Sequence, residues 1–281
     1  MKKNFNWYSR YALVTGAASG MGRIYSQQLA LKGYNVILVD INAAGLDETA
    51  SIVRQTVETA DKVPAEVKPL LKVMPVVQDL STMDAADRIF EVTQANGCEV
   101  EVLVNNAGVM YCQGIAETSE RMLKLIMMVH MNTPLMLCRK YVNGMKERKC
   151  GYILNISSLA AWMSWPGIGM YGNTKRFVRN YSRELRIECQ FTGVSITNAY
   201  FGAVDTPLIP IKPSLKKLAR ALTVMISPEK AVRRALRATF WRCRGTMPGL
   251  LNKLFFPFIV ILPDFLLGWV YRMAKKHLMK V

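Results

Sequence analysis

The chain has 281 residues, 51% of them hydrophobic, and a formal net charge of +17 from 37 Lys or Arg against 20 Asp or Glu. That length admits one large domain or two small ones and supplies a sizeable core, with no internal repeat or low-complexity segment to suggest a solenoid or a disordered chain. The six cysteines form no C-x-x-C pair and the two histidines, His130 and His277, have no metal-ligand spacing, which argues against a disulfide or zinc framework and for free thiols in a reducing compartment.

Along the chain, Arg10 to Thr15 reads as a short buried strand ending in a glycine turn, and Gly20 to Lys32 as the helix that follows. Asn35 to Asp40 is a second strand with an acidic end, and Ala43 to about Thr59 is helical. A polar, proline-marked link around Lys62 to Pro69 leads to a third strand, Leu71 to Gln78. Asp84 to Ala95 is a helix, Val100 to Asn105 a fourth strand, and Ser119 to Lys146 one long methionine-rich helix. Tyr152 to Ile156, Tyr171 to Gln190 and Val194 to Tyr200 complete a strand, helix and strand. Ser227-Pro228-Glu229 opens another helix, with serine as cap and proline in the first turn. This alternation predicts an α/β fold, a Rossmann-type doubly wound parallel sheet, in which ligands bind beyond the carboxyl ends of the strands.

The charge gathers at the carboxyl end. From Lys212 to Val281 there are fifteen Lys or Arg against two acids, so 13 of the +17 charges lie there. Such an end can attract nucleic acid, an anionic membrane or an acidic ligand. Its basic residues flank the charge-free run Leu254 to Pro263, too short to span a bilayer, rather than spaced aromatics, so shallow contact with a lipid surface is expected over nucleic-acid binding. The competing reading is that this run covers the core or the site. Residues 1–247 are expected to form the main domain, with a substrate loop near 203–226, and 248–281 a basic, apolar extension. The start of the chain lacks an apolar leader, so a cytoplasmic location is expected, with peripheral contact on the inner face of a membrane.

Three groups of residues carry chemistry. Thr15-Gly16-Ala17-Ala18-Ser19-Gly20-Met21-Gly22 follows a strand and opens a helix, where glycines let backbone N–H groups approach a pyrophosphate. A tight β-α connection would also use such glycines. Asp40, eighteen residues beyond Gly22, can accept hydrogen bonds from ribose hydroxyls and repel a 2′-phosphate, which favours NAD(H) over NADP(H); alternatively it caps a helix. Tyr171 and Lys175 share a helix face, so the ammonium is expected to pull the phenol down from its ordinary value near 10, a task worth roughly 4 kcal/mol.

Taken together, T-G-x-x-x-G-x-G at Thr15 to Gly22, N-N-A-G at Asn105 to Gly108 and Y-x-x-x-K at Tyr171 to Lys175 resemble the short-chain dehydrogenase/reductase family over roughly residues 10 to 207. The resemblance implies a catalytic set of Asn132, Ser158, Tyr171 and Lys175. Asn132 would hold a proton-relay water, Ser158 would bind the substrate oxygen, Tyr171 would exchange its proton, and Lys175 would tune the phenol and bind ribose. It also implies a cofactor surface of Gly16, Ser19, Gly20, Met21, Gly22, Asp40, Asp79, Leu80, Asn106, Ala107, Gly108, Tyr171, Lys175, Gly202, Val204 and Thr206, with no metal. Phe201-Gly202 stands where the family usually has Pro-Gly. Arg176, Phe177, Arg179, Arg183 and Arg186 stand where many members carry small residues for pairing subunits, so a homo-oligomer of the usual kind is in question.

The expected activity is interconversion of a secondary alcohol and a ketone on a small hydrophobic substrate, a hydroxysteroid first. The alternatives are a reductase of a long-chain 3-keto lipid, such as a 3-ketoacyl thioester or 3-ketosphinganine, and a non-catalytic nucleotide-binding membrane scaffold. The methionines 122, 127, 128, 131 and 136 are expected to be core filler.

Overall fold

A computed structural model describes residues 10–111, 113–162, 168–205, 225–248, 263, 265–269 and 272. Thr206, most of the expected substrate loop and nearly all of the 248–281 extension lie outside the described residues.

The first half alternates β1 (Arg10–Thr15), α1 (Gly20–Ala30), β2 (Asn35–Asp40), α2 (Ala43–Glu58), β3 (Val73–Val77), α3 (Ala85–Ala95) and β4 (Glu99–Asn105). There follow α4 (Glu120–Met127), α5 (Thr133–Glu147), β5 (Gly151–Ser158), α6 (Gly169–Glu188) and β6 (Val194–Phe201). The short strands β7 (Ala203–Val204) and β8 (Met225–Ile226) pair with each other, and α7 (Pro228–Phe240) and β9 (Gly245–Thr246) close the described fold. Seven strands form one parallel sheet in the order β3-β2-β1-β4-β5-β6-β9. The order reverses between β1 and β4, and that switch point opens a crevice at the carboxyl ends.

The central strands are apolar on both faces because both are covered. Ala12, Val14, Val36 and Leu38 face a layer that includes Tyr25, Leu29, Leu46, Val53, Ala235 and Leu236 of α1, α2 and α7. Tyr11, Leu13, Ile37 and Val39 face the opposite layer, with Ile89, Leu137, Tyr141, Val178 and Tyr181 of α3, α5 and α6. The two layers fix the pleat of every strand, since a one-residue slip would exchange them.

The 62–69 link is pinned rather than loose. Val63 is buried, a 3₁₀ turn spans Lys68–Leu70, and Lys68 Nζ donates to the Glu58 carbonyl at 2.5 Å. The single long helix expected from Ser119 to Lys146 is instead two helices joined by a π-helical turn, Met128–Asn132. Of the methionines there, Met136 packs against the core as expected, whereas Met127 is 45% exposed and Met122, Met128 and Met131 are half-buried. Among the described residues, no helix is long and apolar enough to cross a membrane. Cys98, Cys138 and Cys189 are buried free thiols, as expected.

Candidate active site

The glycine turn is built from mutual hydrogen bonds between neighbouring strand ends. Thr15 Oγ1 accepts from the amides of Asn106 and Ala107, each at 3.1 Å, and Asn106 Nδ2 donates to the Thr15 carbonyl at 2.9 Å. These bonds draw the β4 end against the β1 end so closely that a Cβ on Gly16 would stand 2.9 Å from Ala107 Cα. Gly16 and Gly20 both have positive φ, 67° and 52°, a region that L-residues with a side chain adopt at a cost.

Three helices are capped at their amino ends by a side chain, whereas α1, like α3, α5 and α6, is not. Asn42, Ser119 and Ser227 each cap their helix through a side-chain oxygen, whereas Ser19 makes no such bond and the first turn of α1 contains no acid. Its leading N–H groups and the positive end of the helix dipole therefore suit an anion from outside the chain. Nothing stands within 4 Å of where a Cβ on Gly20 would be, so the turn is also open there. The residues present fit the pyrophosphate of a nicotinamide dinucleotide.

Asp40 ends β2, where its Oδ2 accepts from the Ala18 amide at 3.1 Å and its Oδ1 from the Asn42 amide at 3.0 Å. It thus shapes the glycine turn, while Asn42 does the capping of α2 through Gly45 N. Asp79 accepts from both the amide and the hydroxyl of Ser81, and the buried Leu80 carbonyl accepts from Thr133 Oγ1 at 2.8 Å. Gly202 is half-buried and Val204 buried just beyond β6, in the short β7–β8 pair.

The β5 and α6 residues meet at the carboxyl edge of the sheet. Lys175 is 5% exposed, and its Nζ donates to the Ile156 carbonyl at 3.0 Å and lies 5.6 Å from the centre of the Tyr171 ring. Ser157 Oγ donates to the Lys175 carbonyl and so locks α6 onto β5. Ser158 Oγ donates to the Phe201 carbonyl at 3.3 Å and accepts from the Ala160 amide at 3.2 Å.

Electrostatics differ from the expectation built on the Tyr-Lys pair. Burial raises the Tyr171 phenol above its ordinary value, and the hydrogen bond with Ser158 only partly opposes this. Burial also pulls the Lys175 ammonium down to about 8. The lysine is thus itself destabilised as a cation, and desolvation is the main influence on both groups.

The segment after α4 carries a buried histidine two residues before the expected Asn132. His130 is buried; its Nε2 accepts from the Val109 amide at 2.9 Å, so its Nδ1 carries the proton and donates to Thr174 Oγ1 at 2.9 Å. Its ring meets the Tyr171 ring edge-on at 5.7 Å. Desolvation and the Lys175 charge hold its pKa well below the usual histidine value, so it is neutral. His130 therefore ties the loop after Gly108 to the helix bearing Tyr171 and Lys175. Asn132, two residues on, is half-buried at the end of the π-turn. Behind Lys175 lies a cavity of about 10 Å³ lined by Thr15, Asn105, His130 and Tyr181 among others.

A lone histidine in an apolar stretch gave the sequence reading nothing to work with. The one available signal was its position inside a hydrophobic run, where a polar ring must find partners.

Comparison with known proteins bears on the same region. A family model described as short chain dehydrogenase matches residues 10–213. The chain is 29% identical over 239 residues to 17-beta-hydroxysteroid dehydrogenase type 3 of Danio rerio, covering 83% of this chain and 71% of that protein. It is 31% identical over 272 residues to very-long-chain 3-oxoacyl-CoA reductase of Anas platyrhynchos, covering 93% and 74%. Several further relatives of these two kinds are covered over only 60 to 63% of their length. Among solved structures, one reported for the stereoselectivity of a 7beta-hydroxysteroid dehydrogenase superposes with a TM-score of 0.76 at 23% identity, covering 89% of this chain and 91% of that one.

Proposed function

The chain belongs to the short-chain dehydrogenase family, an oxidoreductase acting on CH–OH groups with a nicotinamide cofactor, and from that premise we propose that it interconverts a secondary alcohol and a ketone on a hydrophobic substrate. A hydroxysteroid is the first candidate and a long-chain 3-keto lipid the second, as the names of its relatives suggest. The observation that carries this reading is the convergence of Ser158, Tyr171 and Lys175 beside the glycine turn, at the carboxyl ends of β5 and β6.

When bound, the nicotinamide supplies or accepts the hydride. The protein's share is positioning and proton handling. Gly16, Ser19, Gly20, Met21 and Gly22 would hold the pyrophosphate through the uncapped start of α1, and Asp40 the adenosine ribose. Asp79 and Leu80 would lie against adenine, Asn106, Ala107 and Gly108 along the floor, and Gly202, Val204 and Thr206 near the carboxamide. Ser158 would exchange its bond to the Phe201 carbonyl for one to the substrate oxygen. Tyr171, kept protonated at neutral pH by burial, would hand its proton to that oxygen during ketone reduction. Lys175 would add ribose to its existing partner, Ile156. Asn132 would hold a proton-relay water, and His130 would keep α6 and the Val109 loop in place.

Because a carboxylate at the end of β2 would accept from ribose hydroxyls and repel a 2′-phosphate, NAD(H) is the preferred coenzyme in this reading. A substrate screen that follows absorbance of the reduced coenzyme, with steroid and long-chain keto substrates, tests the proposal. Turnover that falls by about 10² or more in Tyr171→Phe supports it; turnover that survives the substitution refutes the assignment.

A further inference from the structure

A second concavity lies outside the crevice, along the flank of α6 that faces β6 and β9. It encloses about 590 Å³. Four guanidinium groups line it: Arg179, Arg183 and Arg186 from α6, and Arg244 from the residue before β9. Arg186 is built in, donating to the Ile196 carbonyl and the Arg242 carbonyl, each at 2.8 Å, and to Ser195 Oγ at 3.3 Å. The Arg179 guanidinium lies 4.7 Å from the centre of the Trp162 ring, and Trp162 packs on Tyr200 with ring centres 4.4 Å apart. One end of the groove thus has an aromatic floor. Asn198, 3% exposed, also lines it, and its Oδ1 is buried without a hydrogen-bond partner.

No carboxylate answers these cations among the described residues: none of the five ion pairs there includes any of the four arginines. The amino acids outside the described residues cannot supply the balance either, since they include ten Lys or Arg and a single acid, Asp264. Like charges gathered in a concave site repel one another unless an anion joins them. Planar guanidinium forks match the oxygen geometry of a phosphate ester, and a floor of aromatic rings suits the apolar or ring portion of the molecule that carries it.

We propose that this groove binds a phosphate ester, with Arg183 and Arg244 as the exchangeable contacts and Arg186 as the fixed one. The ester could reach it on a soluble phosphorylated carrier or in a lipid headgroup. The groove begins near the reacting groups, because Trp162 follows Ser158 by four residues and Tyr200 precedes the Phe201 whose carbonyl holds Ser158. Along α6, Arg179 stands about 12 Å and Arg186 about 22 Å beyond Tyr171. A molecule with its ketone at Tyr171 and a phosphate at that distance could occupy both places, an elaboration that rests on the activity proposed above, whereas the anion site itself does not.

The test uses the full chain with the dinucleotide crevice saturated by NADH, so that an added nucleotide cannot compete there. Equilibrium binding of coenzyme A is compared with that of phosphate-free pantetheine, and sedimentation with phosphatidylcholine vesicles is compared with and without phosphatidic acid. Each is done for the natural chain and for Arg183→Gln/Arg244→Gln, whose side chains make none of the hydrogen bonds described above. The expected result is a preference of about tenfold or more for one phosphate-bearing probe that the double variant loses. Loss in the coenzyme A arm identifies a soluble carrier, and loss in the vesicle arm a headgroup. Equal binding of both chains to both phosphate probes, or no preference over the phosphate-free controls, overturns the proposal. Turnover of a simple steroid ketone should be unchanged in the double variant. If the natural chain turns over no ketone, the proposed activity fails while the binding arms still decide the groove.

Discussion

The two ends of the sheet handle polar groups in opposite ways. At the β1–β4 switch point, Thr15 and Asn106 spend their hydrogen bonds on neighbouring backbone and Asp40 accepts two backbone amides, so the turn is drawn tight beside the uncapped start of α1. At the β6–β9 edge, four arginines line an open groove, and Asn198 beside them has an Oδ1 that is buried without a hydrogen-bond partner. The first arrangement fits a ligand common to a whole class of proteins and leaves little latitude. The second leaves the Arg183 and Arg244 side chains outside the hydrogen bonds and ion pairs described above, where individual character can accumulate.

Substitutions can sharpen or break that contrast. The largest effect is expected from Lys175→Met, which should lower turnover by about 10² or more while raising the thermal midpoint at pH 7. The sign follows from burial: a lysine pulled down to about 8 carries a charge that destabilises the fold below that pH, by on the order of 3 kcal/mol. The penalty fades as pH rises through 8 towards the ordinary lysine value. Denaturation of both chains across this range should therefore show a gap that closes with rising pH, and a gap that widens would contradict the burial argument.

Gly22→Ala comes next. Its Cβ would overlap the Gly16 carbonyl, a backbone atom in the closed turn that cannot move aside, so a loss of about 3 kcal/mol in urea unfolding is expected. Asp40→Ala should cost about 1 kcal/mol or less in stability and relax the preference for NAD(H) over NADP(H) by about tenfold, as judged from the ratio of kcat/KM values. An unchanged ratio would place coenzyme selection elsewhere. The smallest effect belongs to Gly245→Ala, whose Cβ would approach the Tyr200 ring at 2.9 Å and the Asn198 carbonyl at 3.2 Å. A ring beside a groove can tilt, so this change should stay within about 1 kcal/mol. A collapse comparable to that of Gly22→Ala would show that the two ends of the sheet are equally rigid.

Legibility in the sequence follows the same division. β1 and β2 are readable to the residue because each is a fully buried apolar run stopped by a glycine turn or an acid. The glycine turn, the N-N-A-G loop and the Tyr-Lys spacing are legible because backbone geometry leaves few residue types that fit. β9, with two residues, is too short to show an alternation. The environment of Lys175 was misread for a different reason. Spacing places an ammonium near a phenol, but it says nothing of how deeply the pair is buried, and depth decided the outcome. His130 was invisible because its partners, Val109 and Thr174, are 21 and 44 residues away.

The π-turn at Met128–Asn132 carries a consequence for how the molecule tolerates length changes. Such a turn holds one residue more than an ordinary helical turn, and each residue advances a helix by about 100°. Excising a single residue there would let the backbone relax into unbroken helix with α4 and α5 still in phase, because the π-turn fits its extra residue into one rotation. The cost would be local: the imidazole would lose its place against the Val109 amide, while the inward face of α4 would stay inward. The winding defect is therefore a place where the segment can give up one residue while the two helices keep their facing.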